Sequence, residues 1–134
     1  MSRDSIQPPE LLDGRAFAMA QVVRSKGGSY VHVSGQTAID KEGAQIGSDL
    51  ATQLEVALEN LRLALAGAGA TPSDLVSITT YIVDFEPEQL AVYVPALNNF
   101  FDPDNLPACS MLGISALAQQ GLLVEIEAVA VLDD

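Results

Sequence analysis

Beyond Arg62 the chain contains no lysine or arginine. Its six basic residues (Arg3, Arg15, Arg24, Lys26, Lys41 and Arg62) stand against 18 acidic ones, a formal net charge of −12. Residues 63–134 alone carry ten carboxylates, from Asp74 to Asp134. Nucleic acids are held by Lys and Arg on phosphate, so a nucleic-acid partner is not expected. Such a charge serves solubility instead. Cysteine is equally scarce. Cys109 is the only one, which excludes an internal disulfide and fits a reducing compartment. His32 is the only histidine, and no Cys, His and carboxylate set has metal-ligand spacing, so no metal is expected. No stretch approaches the ~20 apolar residues of a membrane span. Met1-Ser2-Arg3-Asp4 leads into no apolar run of the signal-peptide kind, and Asp4 and Glu10 interrupt the region. The chain therefore reads as cytoplasmic. Gly67-Ala68-Gly69 ends a helical pattern rather than starting one, so it is no phosphate loop.

At 134 residues and 49% hydrophobic content, the chain has the size and apolar content of one domain, spanning 1–134. Residues 1–15 contain Pro8-Pro9 and no period, and read as a loosely held arm. Gln21–Arg24 and Tyr30–Ser34 are β-branched runs separated by a Gly27-Gly28 segment, the pattern of a hairpin. Ser48-Asp49 offers a helix N-cap. Leu50, Leu54, Leu58, Leu61 and Leu65 follow at helical spacing. Thr71-Pro72-Ser73-Asp74 reads as a capped single turn. Val76–Val83 is a strand. Glu86-Pro87-Glu88 opens a second helix, which Pro95 should kink or shorten. Ala108–Ser115 and Leu122–Leu132 are strands.

The expected order is β-β-α-β-α-β-β, an α+β fold with both helices on one face of a mixed sheet. The last strand exposes a problem in that layout. Leu122, Val124, Ile126, Ala128 and Ala130 form an apolar face for the helices. The opposite face, with Leu123, Glu125, Glu127, Val129 and Val131, is also largely apolar. Strands apolar on both faces are covered on both, and no helix remains in the chain to do it. Another subunit could.

Several segments together resemble the RidA (YjgF, reactive-intermediate deaminase; also labelled endoribonuclease L-PSP) family. They are Val31-His32-Val33-Ser34-Gly35-Gln36, the helix ending at Ala66-Gly67-Ala68, Tyr81-Ile82-Val83-Asp84, Phe100-Phe101, Leu106-Pro107-Ala108 and Leu123–Val131. The resemblance runs from about Gln21 to Leu132. It implies a chorismate-mutase-like subunit and a homotrimer in which three sheets close a central barrel. Small molecules, often carboxylates, would bind in clefts between subunits. The implied chemistry is hydrolysis of reactive enamines or imines to ketoacids and ammonia, without a cofactor.

Carried over residue by residue, the pattern departs from the family at the site. The family's arginine, which clamps the substrate carboxylate from a Pro-Ala-Arg-Ser stretch, is here Cys109 in Pro107-Ala108-Cys109-Ser110. A thiol does not replace a bidentate guanidinium. Met19 stands where the resemblance implies a tyrosine, and Val94 where it implies an asparagine. Ser34 and Glu125 are retained, the latter as the group that would hold or activate water. The resemblance thus assigns Glu125 the catalytic role and gives Ser34, Cys109, Met19 and Met111 contact with substrate, in a branch of the family lacking the arginine. Glu127 reads as a solvated, barrel-lining residue. Cys109 has no adjacent base in the sequence, and a dyad with the lone His32 is not expected, since a lone Cys is usually a small buried hydrophobe. Two functions follow: hydrolysis or deamination of a small molecule other than the usual imines, or non-catalytic binding of a metabolite in the same clefts.

Overall fold

The computed structural model describes residues 3–133. Six strands and two α-helices are laid down as β1 (Arg3–Ile6), β2 (Val22–Ser25), β3 (Ser29–Gln36), α1 (Leu50–Gly67), β4 (Leu75–Val83), α2 (Leu90–Phe100), β5 (Ala108–Ile114) and β6 (Val124–Leu132). The α+β class stands as expected, with one strand more than the sequence pattern indicates.

Helix α1 starts where the sequence places it. The Asp49 side chain accepts a hydrogen bond from the Thr52 backbone N–H, filling one of the donors a helix N-terminus leaves open. Leu54, Leu58, Leu61 and Leu65 bury the inner stripe. Thr71 and Asp74 form a reciprocal capping box around the turn Pro72–Asp74. Pro87–Gln89 makes a 3-10 turn rather than the first turn of α2, and α2 runs through Pro95 without a break.

The main sheet has the order β3-β6-β4-β5, antiparallel except for the parallel β4–β5 pair. Its helix side buries Ile78 and Ile82 of β4 with Val124, Ile126, Ala128 and Ala130 of β6. The other side carries Tyr30, His32, Ser34, Ser77, Thr79, Tyr81, Glu125, Glu127 and Val129, and no element among the described residues covers it. Tyr30 is 65% exposed there. Strand β5 is an edge. Among the described residues a single bridge, from Ala20 to Ala108, covers its first residue, and no other strand pairs with its outer side.

The expected hairpin is not formed. Strand β2 pairs with β1 in a separate two-stranded sheet, while β3 pairs with β6. Gly27 and Gly28, both at positive φ (82° and 102°), carry the chain from one sheet to the other. The N-terminal arm, too, is held rather than loose over its described part. Arg3 donates through Nε to Asn105 Oδ1 (3.1 Å) and through an Nη to the Asn105 carbonyl (2.6 Å). Ser5 donates to the Leu106 carbonyl at 2.5 Å, and Gln7 to the Met19 carbonyl at 2.9 Å. Arg3 is only 8% exposed, and burial lowers its pKa while Asp74 opposes that shift. A charged side chain is buried only where paired or hydrogen-bonded. This one fastens the arm to the connection between α2 and β5.

Candidate functional site

Cys109 and Met111 lie on β5, and their register partners Ile78 and Thr80 on β4 put both on the helix side of the sheet. Met19 arrives from the N-terminal segment. After the 3-10 turn Gly14–Phe17, Ala18 adopts a left-handed conformation (φ 58°), an unusual one for a residue with a side chain. That reversal sets Met19 beside β5 and brings Ala20 onto Ala108. Phe17, Met19, Leu90, Tyr93, Val94, Cys109 and Met111 together line a cavity of about 240 Å³. Three of the residues assigned from sequence therefore do meet, and Val94 joins them.

The wall of this cavity offers almost no polar group. The Tyr93 hydroxyl is spent inward on Thr80 Oγ1 at 2.8 Å, and burial raises its pKa. The Cys109 thiol points at the carbonyls of Pro107 (3.6 Å) and Ala18 (3.9 Å). Burial pushes its pKa up to about 12. The nucleophile of cysteine chemistry is the thiolate, and this environment suppresses it. No lysine, arginine or histidine lines the cavity. Arg15, nearby in sequence, is committed to Asp13, whose pKa it holds down at about 2.

Alkylation provides a check. The native thiol should react with iodoacetamide at pH 8 more than tenfold more slowly than the same thiol in denatured protein, followed by mass spectrometry. The sign is fixed by the raised folded-state value: stability is intact below the ordinary thiol range of about 8.5 and declines as pH climbs from there towards 12. A native rate equal to the denatured one would show an exposed thiolate.

Glu125 and Ser34 are elsewhere. Both occupy the uncovered side of the main sheet, and Glu125 sits on β6, separated from β5 by β4. A β-bulge falls between Val33 and Gln36, inside the Ser34-Gly35 pair. Bulges re-aim side chains and recur beside functional sites. Here it lays the Gly35 backbone directly over the Glu125 side chain. A Cβ at position 35 would lie 2.4 Å from Glu125 Cδ, so a larger residue there would displace the Glu125 carboxylate from its present position. Ser34 shares a depression of about 390 Å³ with His32, Ser77, Thr79 and Glu127. The Tyr81 hydroxyl donates to Glu127, and that bond, with the neighbouring carboxylates, raises the Tyr81 pKa. His32 stacks on Tyr30 with ring centroids 6.3 Å apart, on the opposite side of the sheet from Cys109, which excludes a dyad within one chain.

One residue that pattern reading missed is Gln53, fully buried on α1. It donates to the Gly121 carbonyl (2.9 Å) and accepts from the Leu123 N–H (2.8 Å), fixing the approach to β6 two residues before Glu125. Its place three residues after Leu50 and four before Ala57 puts it on the buried face of α1, a signal that the leucine spacing alone does not carry.

Residues 16–132 match the profile of the family described as endoribonuclease L-PSP. A RutC family protein of Pyrococcus abyssi is 31% identical over 106 residues, covering 78% of this chain and 80% of the relative. The 2-iminobutanoate/2-iminopropanoate deaminase of Escherichia coli is 27% identical over 106 residues, with the same coverage of both chains. Among solved structures, a protein of unknown function of the conserved Rid family, YyfB from Yersinia pestis, superposes with a TM-score of 0.95 at 36% identity, covering 98% of this chain and 100% of its own.

Proposed function

Since the chain belongs to the endoribonuclease L-PSP family, the RidA proteins, we propose that it works as a homotrimer whose clefts between subunits take a small molecule, and that its activity is of the hydrolase or deaminase type. The observation that carries this reading is the division of the candidate residues. Cys109, Met19 and Met111 lie on the helix side of an edge strand, and Glu125 with Ser34 on the uncovered side of the sheet. No single chain joins the two groups. A neighbour packed on the uncovered face and against the β5 edge would bring its Glu125 towards this chain's cavity. The same contact would cover Val129 and the exposed Tyr30.

In this reading Glu125 positions the attacking water, in the space that the missing side chain of Gly35 leaves. The substrate is not a standard amino-acid-derived imine, because the cavity has no cation for its carboxylate. No nucleic acid, metal or cofactor takes part, and the net charge of −12 argues against the ribonuclease chemistry in the family's description. The second reading, a metabolite-binding protein without turnover, is favoured by one observation: no base lines the Cys109 cavity itself.

Sedimentation equilibrium at micromolar concentration should return three times the 14.1 kDa chain mass. A monomer or a dimer refutes the composite cleft. Once a hydrolysed substrate is found in a compound screen, Glu125→Gln should abolish turnover while binding persists. Binding without turnover in the wild type selects the second reading.

A further inference from the structure

We infer that the cavity between Phe17, Met19, Leu90, Tyr93, Val94, Cys109 and Met111 selects an uncharged, apolar ligand about the size of one substituted ring, and rejects carboxylates. This rests on the reading of the region as a small-molecule site and specifies which chemistry that site accepts.

The cavity volume of about 240 Å³ exceeds the ~150 Å³ of an apolar cavity known to hold benzene. Three of its seven lining residues carry sulfur and two are aromatic. Thioethers are polarizable, adapt their three torsions to an irregular guest and make favourable contacts with ring edges. Tyr93 contributes its ring and not its hydroxyl, which Thr80 occupies. Cys109 directs its S–H to backbone carbonyls. A carboxylate entering here would lose its hydration and meet no donor, which is the costliest case of polar burial.

Arg3 is buried against Asn105, Arg15 is paired with Asp13, Arg24 with Asp4 and Arg62 with Glu59. Neither these four nor Lys26 and Lys41 line the cavity. Replacing the family's arginine by cysteine therefore changes the preference of the cavity from anionic to apolar, rather than merely weakening it.

The test uses the full chain labelled at the methionine methyls, two of which, Met19 and Met111, line the cavity. Toluene and benzoate serve as probes, sharing a ring and differing in charge. Toluene should shift both methyl resonances saturably, and benzoate should bind at least thirtyfold more weakly, the ratio expected for desolvating an unpaired polar group. In Cys109→Arg the order should reverse, and the methyl spectrum reports directly whether that variant is folded. Benzoate binding the wild type as tightly as toluene overturns the inference and leaves the small-molecule site standing. Benzoate binding only to the arginine variant, with toluene binding to neither protein, does the same. If neither probe shifts either methyl in either protein, the inference and the small-molecule reading of this region both fall.

Discussion

Supplied with an iminoacid generated in situ, the protein should hydrolyse it about 30- to 5000-fold more slowly than an arginine-bearing member of the family. The range comes from the 2–5 kcal/mol typical of losing one partner of a buried charged pair, at 1.36 kcal/mol per factor of ten. The position in question is Cys109, whose thiol is neutral and turned towards carbonyl oxygens. Nor does the rest of the chain supply a substitute cation, since no basic residue lines the cavity. Ammonia release measured beside the arginine-bearing relative, at matched concentrations, decides the matter. Comparable rates would mean that the carboxylate is held from some other place, and that the residue at position 109 does not set substrate class. The deficit should appear in kcat/KM, because the missing interaction acts from encounter onwards.

A second large effect is expected at a position remote from any chemistry. Gly28 sits at φ 102°, and a Cβ there would lie 2.0 Å from the carbonyl oxygen of Leu132, a backbone atom at the end of β6 that cannot swing aside. Gly28→Ala combines backbone strain of about 1–3 kcal/mol with overpacking of about 1–3 kcal/mol. The summed loss of roughly 2–6 kcal/mol corresponds to a fall in Tm of about 7–20 °C for a chain of this length. Gly27→Ala is the control. It shares a positive φ of 82°, but nothing lies within 4 Å of its would-be Cβ, so only the strain remains. Calorimetry on the two variants should separate them clearly. Equal Tm values would show that the contact with Leu132 relaxes freely.

The two glycines also mark where sequence patterns stop being informative. A Gly-Gly between β-branched runs signals a chain reversal, and a reversal does occur. Which strands then pair depends on which edges are free. Strand β3 joins β6, where Val31 and Val33 reach the helix side beside Ala130 and Ala128. Strand β2 is left for β1, a four-residue strand whose Arg-Asp-Ser-Ile sequence has no recognisable alternation. The local signals were sound: Asp49 caps α1, the leucine stripe is buried, and β6 has the two faces its alternation indicates. The partners of the buried polar groups were invisible for a different reason. Arg3 and Gln53 bond to groups 102 and 68 residues away, and such separations leave no trace in a local pattern. The candidate site divides in the same way. Strand alternation placed Glu125 on the face away from the helices. The turn at Ala18 that delivers Met19 to Cys109, and the bulge that lowers Gly35 onto Glu125, are tertiary facts.

The open side of β5 has a consequence for how the chain behaves in bulk solution. An unpaired strand edge is a template for another strand, and proteins commonly guard such edges with lysine, proline or an inward charge. Ala108–Ile114 carries none of these, only Ala-Cys-Ser-Met-Leu-Gly-Ile. Wherever that edge is free, the guard is not local but colloidal: a surplus of twelve negative charges that keeps two molecules from approaching edge to edge. Such a guard is lifted by acid. As pH falls towards the isoelectric point near 4.1, mutual repulsion disappears while the backbone donors and acceptors of the edge remain. Acidity in this sequence thus acts as the gatekeeper against self-association that other proteins place within the strand itself.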